Sequence, residues 1–142
     1  MTIQETFTAM TEQGGPLRAV TYLYDPELPR EIIAIRLGFD GGDWLVSVDP
    51  DDDTIAVGVT TADGLSDLHT ADASTLTPWA GALGKGCRWA WVVENQQGYL
   101  DALQWEFTGA ANGSAVTVQV LAISSQLRVR TVLPVETPYL GA

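Results

Sequence analysis

The sequence predicts an α+β fold: a single domain, residues 1–142, built on a curved, mostly antiparallel sheet of about seven or eight strands with two short helices. Three observations predict it. Segments rich in Val, Ile, Thr, Trp and Tyr fill most of the chain between residues 17 and 133. The turns between several of them, such as Asp40-Gly41-Gly42 and Pro50-Asp51-Asp52, are so short that they join only antiparallel neighbours. Helical signals are confined to the N-terminus and to residues 77–84.

Taken in order, residues 2–13 read as a helix. Thr2 and Glu5 have capping-box spacing, and Ile3, Phe7 and Met10 recur on one face. Gly14-Gly15-Pro16 ends it. Strands follow at 17–24 and 31–39, separated by "DPELP". The next strand, 43–49, puts Trp44, Val46 and Val48 on one side, and 53–59 does the same with Ile55, Val57 and Val59. These segments make a β-meander. Residues 60–76 lack periodicity and read as a long loop with one helical turn. At 77–84 a short helix is expected, with Thr77 as N-cap, Pro78 in the first position and Gly84 past the end. A hairpin spans 88–107, and a last hairpin joins 115–124 to 126–133 across Ser124-Ser125. Residues 134–142 read as an extended tail, and no internal repeat or second domain boundary is visible.

Composition excludes several functions. A chain that is 46% hydrophobic with mean hydropathy +0.08 is globular rather than disordered. No stretch approaches the roughly 18 consecutive apolar residues of a membrane span. The N-terminus carries acid where a secretory signal carries base, so the expected compartment is the cytoplasm. With one cysteine, Cys87, and one histidine, His69, paired-cysteine and multi-histidine metal motifs are ruled out. "GALGKG" at 81–86 has Trp79 and Gly86 where a phosphate loop needs Gly and Ser/Thr. No catalytic residue and no cofactor is expected. Eighteen acids against seven bases give a net charge of −11. Phosphate backbones and anionic membranes repel such a chain, so neither nucleic acid nor membrane is an expected partner, and a basic protein is.

The stretch "RWAWVVENQQGYLDALQWEF" concentrates the aromatic residues. A four-residue loop would set Trp89 against Gln104 and Trp91 against Ala102. A three-residue loop, Gln96-Gln97-Gly98, pairs Asn95 with Tyr99, Val93 with Asp101, Trp91 with Leu103, Trp89 with Trp105 and Arg88 with Glu106. The second register is favoured, because Asn suits the start of the turn and Gly98 falls where φ must be positive. It gathers Trp89, Trp91, Tyr99, Asp101 and Trp105 onto one face, which makes them the candidate ligand-binding set. Asp101 there is either a polar anchor of a pocket or a carboxylate satisfied by turn groups such as the Asn95 side chain. A weaker candidate is "DPDDDT", where Asp49, Asp51 and Asp53 alternate like the first half of a calcium loop but lack its Gly and its final Glu.

The pattern W-x-W-x3-N-Q-Q-G-Y-x-D, formed by Trp89, Trp91, Asn95, Gln96, Gln97, Gly98, Tyr99 and Asp101, resembles a family of small uncharacterised bacterial proteins. Pro78, Trp79, Gly84 and Lys85, and the acidic turn Asp52-Asp53, fit the same resemblance. It implies a bacterial intracellular protein and transfers no activity. The functional expectation is a non-enzymatic acidic module that binds a protein partner, an immunity-like inhibitor of a basic toxin being one form. The alternative is a small-ligand-binding domain using the aromatic hairpin face; a third reading is an enzyme with a carboxylate acid/base.

Overall fold

The computed structural model describes residues 2–49, 51–59, 67–109, 113–136 and 138. Helix α1 (Ile3–Gln13) begins where Thr2 accepts a hydrogen bond from the Glu5 N–H at 3.1 Å. That bond satisfies one of the amides a helix start leaves open. Phe7 and Met10 supply the buried face. The helix ends at Gly14, and Gly15 turns the chain with φ +69°.

Strands β1 (Leu17–Tyr24), β2 (Ile32–Phe39), β3 (Gly42–Val48) and β4 (Ile55–Val59) each pair with their sequence neighbour, all antiparallel. The short strand β5 (His69–Asp72) adds to the other side of β1. Helix α2 (Trp79–Ala82) leads into a second meander: β6 (Gly86–Glu94), β7 (Leu100–Thr108), β8 (Val116–Ile123) and β9 (Gln126–Val132). The expected meander is therefore present twice, four strands each time, within one curled sheet.

The two meanders share little backbone. β2 meets β9 at one residue pair, Ile32 with Leu127. At the opposite seam, a single bridge joins Pro16 to Gly86, flanked by bonds from Leu17 N to Lys85 O and from Gly84 N to Leu17 O, both 2.8 Å. What fills the curl is aromatic. Phe39 of β2 stacks on Phe107 of β7 with centroids 6.3 Å apart, Trp44 meets Phe39 edge-on at 5.5 Å, and Trp79 of α2 meets Phe107 at 6.4 Å. Helix α1 lies against β4 and β6, and its Phe7 meets Trp105 edge-on at 6.2 Å. The β2–β3 turn approaches the end of α1 so closely that a Cβ on Gly41 would meet the Gln13 carbonyl oxygen at 1.9 Å. Glycine there is a steric requirement.

Two expectations change. Residues 69–72 form β5 where a loop was expected; all four side chains are exposed, so its backbone bonds to β1 make the strand and no side-chain pattern announces it. Residues 60–66 of that loop lie outside the described residues. Helix α2 is shorter than 77–84: Pro78 holds the N-cap position after a cis Thr77–Pro78 bond, and no side chain caps the helix. Lys85, just past that helix, is 3% exposed and donates to the Ser114 carbonyl at 2.6 Å. No described helix is long and apolar enough to cross a membrane.

Candidate functional site

The β6–β7 turn forms as its residues dictate. Asn95 N–H donates to Tyr99 O, and Gly98 N–H donates to Asn95 O, both at 3.0 Å. The Asn95 side-chain oxygen accepts from the Gln97 and Tyr99 amides at 2.8 and 3.2 Å, and Gly98 has φ +82°. Just past the turn the expected register fails. Glu94 pairs with Leu100 but Val93 pairs with Ala102, so Asp101 is an extra residue on β7. A one-residue bulge exchanges the faces of everything beyond it. Trp91 therefore pairs with Gln104 and Trp89 with Glu106, not with Leu103 and Trp105. A second bulge at Arg88 restores the count, so that Cys87 pairs with Phe107 and Arg88 does not face Glu106.

The bulge splits the candidate aromatic set. Trp105 is fully buried, and its neighbour across the ladder is Ala90, whose small side chain leaves room for the indole and for Phe7. Trp89, Trp91 and Tyr99 are 53%, 42% and 49% exposed. Trp91 continues across the outer surface through Gln104, Gln119 and Arg130, with Gln104 and Gln119 hydrogen-bonded at 3.2 Å. The Arg88 guanidinium lies 5.5 Å from the Trp89 ring centre, within cation–π range. Asp101 is half-buried and accepts from the Asn95 side-chain amide at 3.3 Å. The carboxylate thus sits at the bulge beside the turn, where Asn95 helps to satisfy it.

The acidic turn spends its carboxylates separately. Asp49 accepts from the Asp51 amide at 2.9 Å, and Asp53 from the Ser125 amide at 2.5 Å. Asp52 accepts from the Thr54 hydroxyl and amide at 2.6 and 3.0 Å, bonds that hold its carboxyl below the usual range. Among the described residues no three His, Cys, Asp or Glu side chains gather as a metal cluster. Cys87 is buried, its thiol pushed up to about 12 by burial and then by the charge of Glu106, while His69 is exposed on β5.

Sequence reasoning missed the outer surface of β1–β3. Ile35, Leu37 and Phe39 of β2 point inward; Ala34, Arg36 and Gly38 alternate to the outside. Over Ala34, Leu45 and Ser47 lies a cleft of about 330 Å³, walled by Leu28 and rimmed by Asp25 and Glu31. Ser125 also lines it. Three non-glycine residues with left-handed backbone, Asp53, Ser124 and Ser125, meet here through the Asp53–Ser125 bond. Strained positions of this kind cluster at functional sites. The signal that could have found the cleft was the distribution of charge. Fourteen of the eighteen acids but only three of the seven bases fall in residues 1–72, so that half carries the entire −11, while residues 73–142 are balanced.

The chain belongs to the family DUF6334. The description of that family is one of unknown function, and its profile matches residues 1–136. No curated protein and no solved structure matches the chain. For this DUF6334 member the split of the tryptophans has a direct consequence. Trp105→Ala should cost about 3–5 kcal/mol in chemical denaturation, as for a large core side chain, whereas Trp91→Ala should cost less than about 1 kcal/mol. Comparable losses for both would contradict the register.

Proposed function

We propose that this protein is a non-enzymatic binding module whose acidic half receives a basic, amphipathic segment of a protein partner. One observation carries the reading: an apolar cleft rimmed by Asp25 and Glu31 lies in the half of the chain that holds all of its net charge. Apolar side chains of the partner would bury against Leu28, Ala34 and Leu45, and basic ones would meet the rim. Acidic surroundings speed such an encounter and make its on-rate salt-sensitive. An immunity-like inhibitor that blocks a basic toxin in the bacterial cytoplasm is the concrete form we favour.

The test uses three short peptides: arginine alternating with leucine, glutamate with leucine, and arginine with serine. Fluorescence anisotropy at low salt should show saturable binding of the arginine–leucine peptide and much weaker binding of the other two. Exposed charge pairs contribute about 0.2–1 kcal/mol each, so the double variant Asp25→Asn with Glu31→Gln should weaken binding about two- to thirtyfold. Equal binding of the arginine–serine peptide, or no saturable binding of any, would overturn the reading.

A second reading is favoured by the exposure of Trp89 and Trp91 beside Arg88: a small apolar or cationic ligand stacks on that outer face. In a thermal-shift screen, ligands that raise Tm should lose their effect in Trp91→Ala. Hits indifferent to both Trp89→Ala and Trp91→Ala would remove this face from consideration.

A further inference from the structure

Beyond the cleft, along the same outer surface, β2 and β3 change character. Arg36 pairs with Thr21 on one side and with Leu45 on the other; two residues further on, Gly38 pairs with Ala19 and Asp43. With glycine and alanine adjacent, the surface sinks into a hollow of about 280 Å³ walled by Arg18, Thr21, Arg36 and Asp43. A Cβ on Gly38 would stand 3.4 Å from both the Ala19 carbonyl and an Asp43 carboxylate oxygen, so a side chain there would occupy the hollow.

The charges around it are unevenly satisfied. A bulge between Leu17 and Ala19 sets Arg18 out of the ladder, and Asp40 grips its guanidinium with two bonds of 2.7 and 3.0 Å. Arg36 has no such partner. Among the described residues its buried Nε finds no hydrogen-bond acceptor and its side chain makes no ion pair, in a half-chain that holds fourteen acids. A desolvated donor without an acceptor costs about 1–3 kcal/mol. Asp43 likewise has no ion-pair partner among the described residues. Since Arg36 faces Leu45 directly, Asp43 is its diagonal neighbour, a placement about 7–8 Å apart. A cation and an anion therefore border one hollow without touching, and its floor is a residue with no side chain.

We propose that this hollow binds a small zwitterion, an α-amino acid with an apolar side chain. Its carboxylate accepts from the terminal N–H groups of Arg36, a geometry for which the planar guanidinium is suited. Its ammonium meets Asp43, and the Thr21 hydroxyl is at hand for either group. Leu45 pairs with Arg36 at the edge of the hollow, between it and the cleft, and there meets the ligand's side chain. A ligand with no net charge is not repelled by the −11 of the protein, as a simple anion would be. The site is separate from the rim acids of the cleft, with Leu45 bordering both.

The probe is L-leucine, titrated into the full chain by calorimetry and by amide chemical-shift mapping. Its two single-charge analogues are 3-methylbutan-1-amine, without the carboxylate, and 4-methylpentanoate, without the ammonium. Leucine should bind saturably and shift the amides of Gly38 and Asp43, and each analogue should bind at least about tenfold more weakly, the factor that one lost charged contact gives. Arg36→Gln should bring leucine down to the level of the amine, and Gly38→Ala should abolish binding. Were Arg36→Gln not to fold, the analogue comparison on the unaltered chain still decides. Absence of saturable leucine binding, analogues that match leucine, or shifts that map away from Gly38 would each overturn the proposal.

Discussion

The contact of Phe39 with Phe107 is the interaction on which the rest depends. Each four-stranded meander is well bonded internally, yet across the seams the backbone of the described residues offers two bridged pairs, Ile32 with Leu127 and Pro16 with Gly86. Backbone pairing on that scale cannot hold two halves in one arrangement. The stack of Phe39 on Phe107, extended by Trp44 on one side and Trp79 on the other, spans the gap. Aromatic contacts of this kind add about 0.5–1.5 kcal/mol each beyond the area they bury. Trp79 ties in the far side as well, donating its indole N–H to the Tyr22 hydroxyl at 2.6 Å. With the core filled from inside the curl, the outer surfaces of both meanders are left free to carry function.

Those two outer surfaces have opposite characters. The β1–β3 side sits in the half of the chain that holds the whole net charge and contains both the acid-rimmed cleft and the hollow beside Arg36. The β6–β9 side is electrically balanced and presents Trp89, Trp91 and arginines. A bare net charge of −11 hides this polarity. At physiological salt, charges more than about 8 Å apart are largely screened, so each surface meets its surroundings with its local charge.

Much of this was legible in the sequence. Thr2, the turn at Asn95 and Gly98, the Ser124-Ser125 hairpin and the alternation in β3 each obey a local rule, and each element formed. The bulge at Asp101 did not announce itself, because pairing rules reward aromatic and charge matches across a ladder, whereas the fold is governed by interior volume. Leu103, Trp105 and Phe107 fill the inside, with the small Ala90 opposite Trp105. The motif around Asn95 accordingly reads as hairpin mechanics: Asn95 organises the turn through its oxygen and meets Asp101 at the bulge through its amide. The cleft and the hollow were illegible for a different reason. They depend on which outward-facing residues of β2 and β3 become neighbours, and on loops folding over them, neither of which a single segment specifies.

Native-state hydrogen exchange tests the central claim most directly. If the aromatic core makes the two meanders one cooperative unit, the most protected amides of β2 and β3 and those of β7 and β8 should open at the same free energy, equal to that of global unfolding. Exchange of either meander at a clearly lower free energy than the other would show that the halves hold together by themselves, and that Phe39 on Phe107 does not unite them.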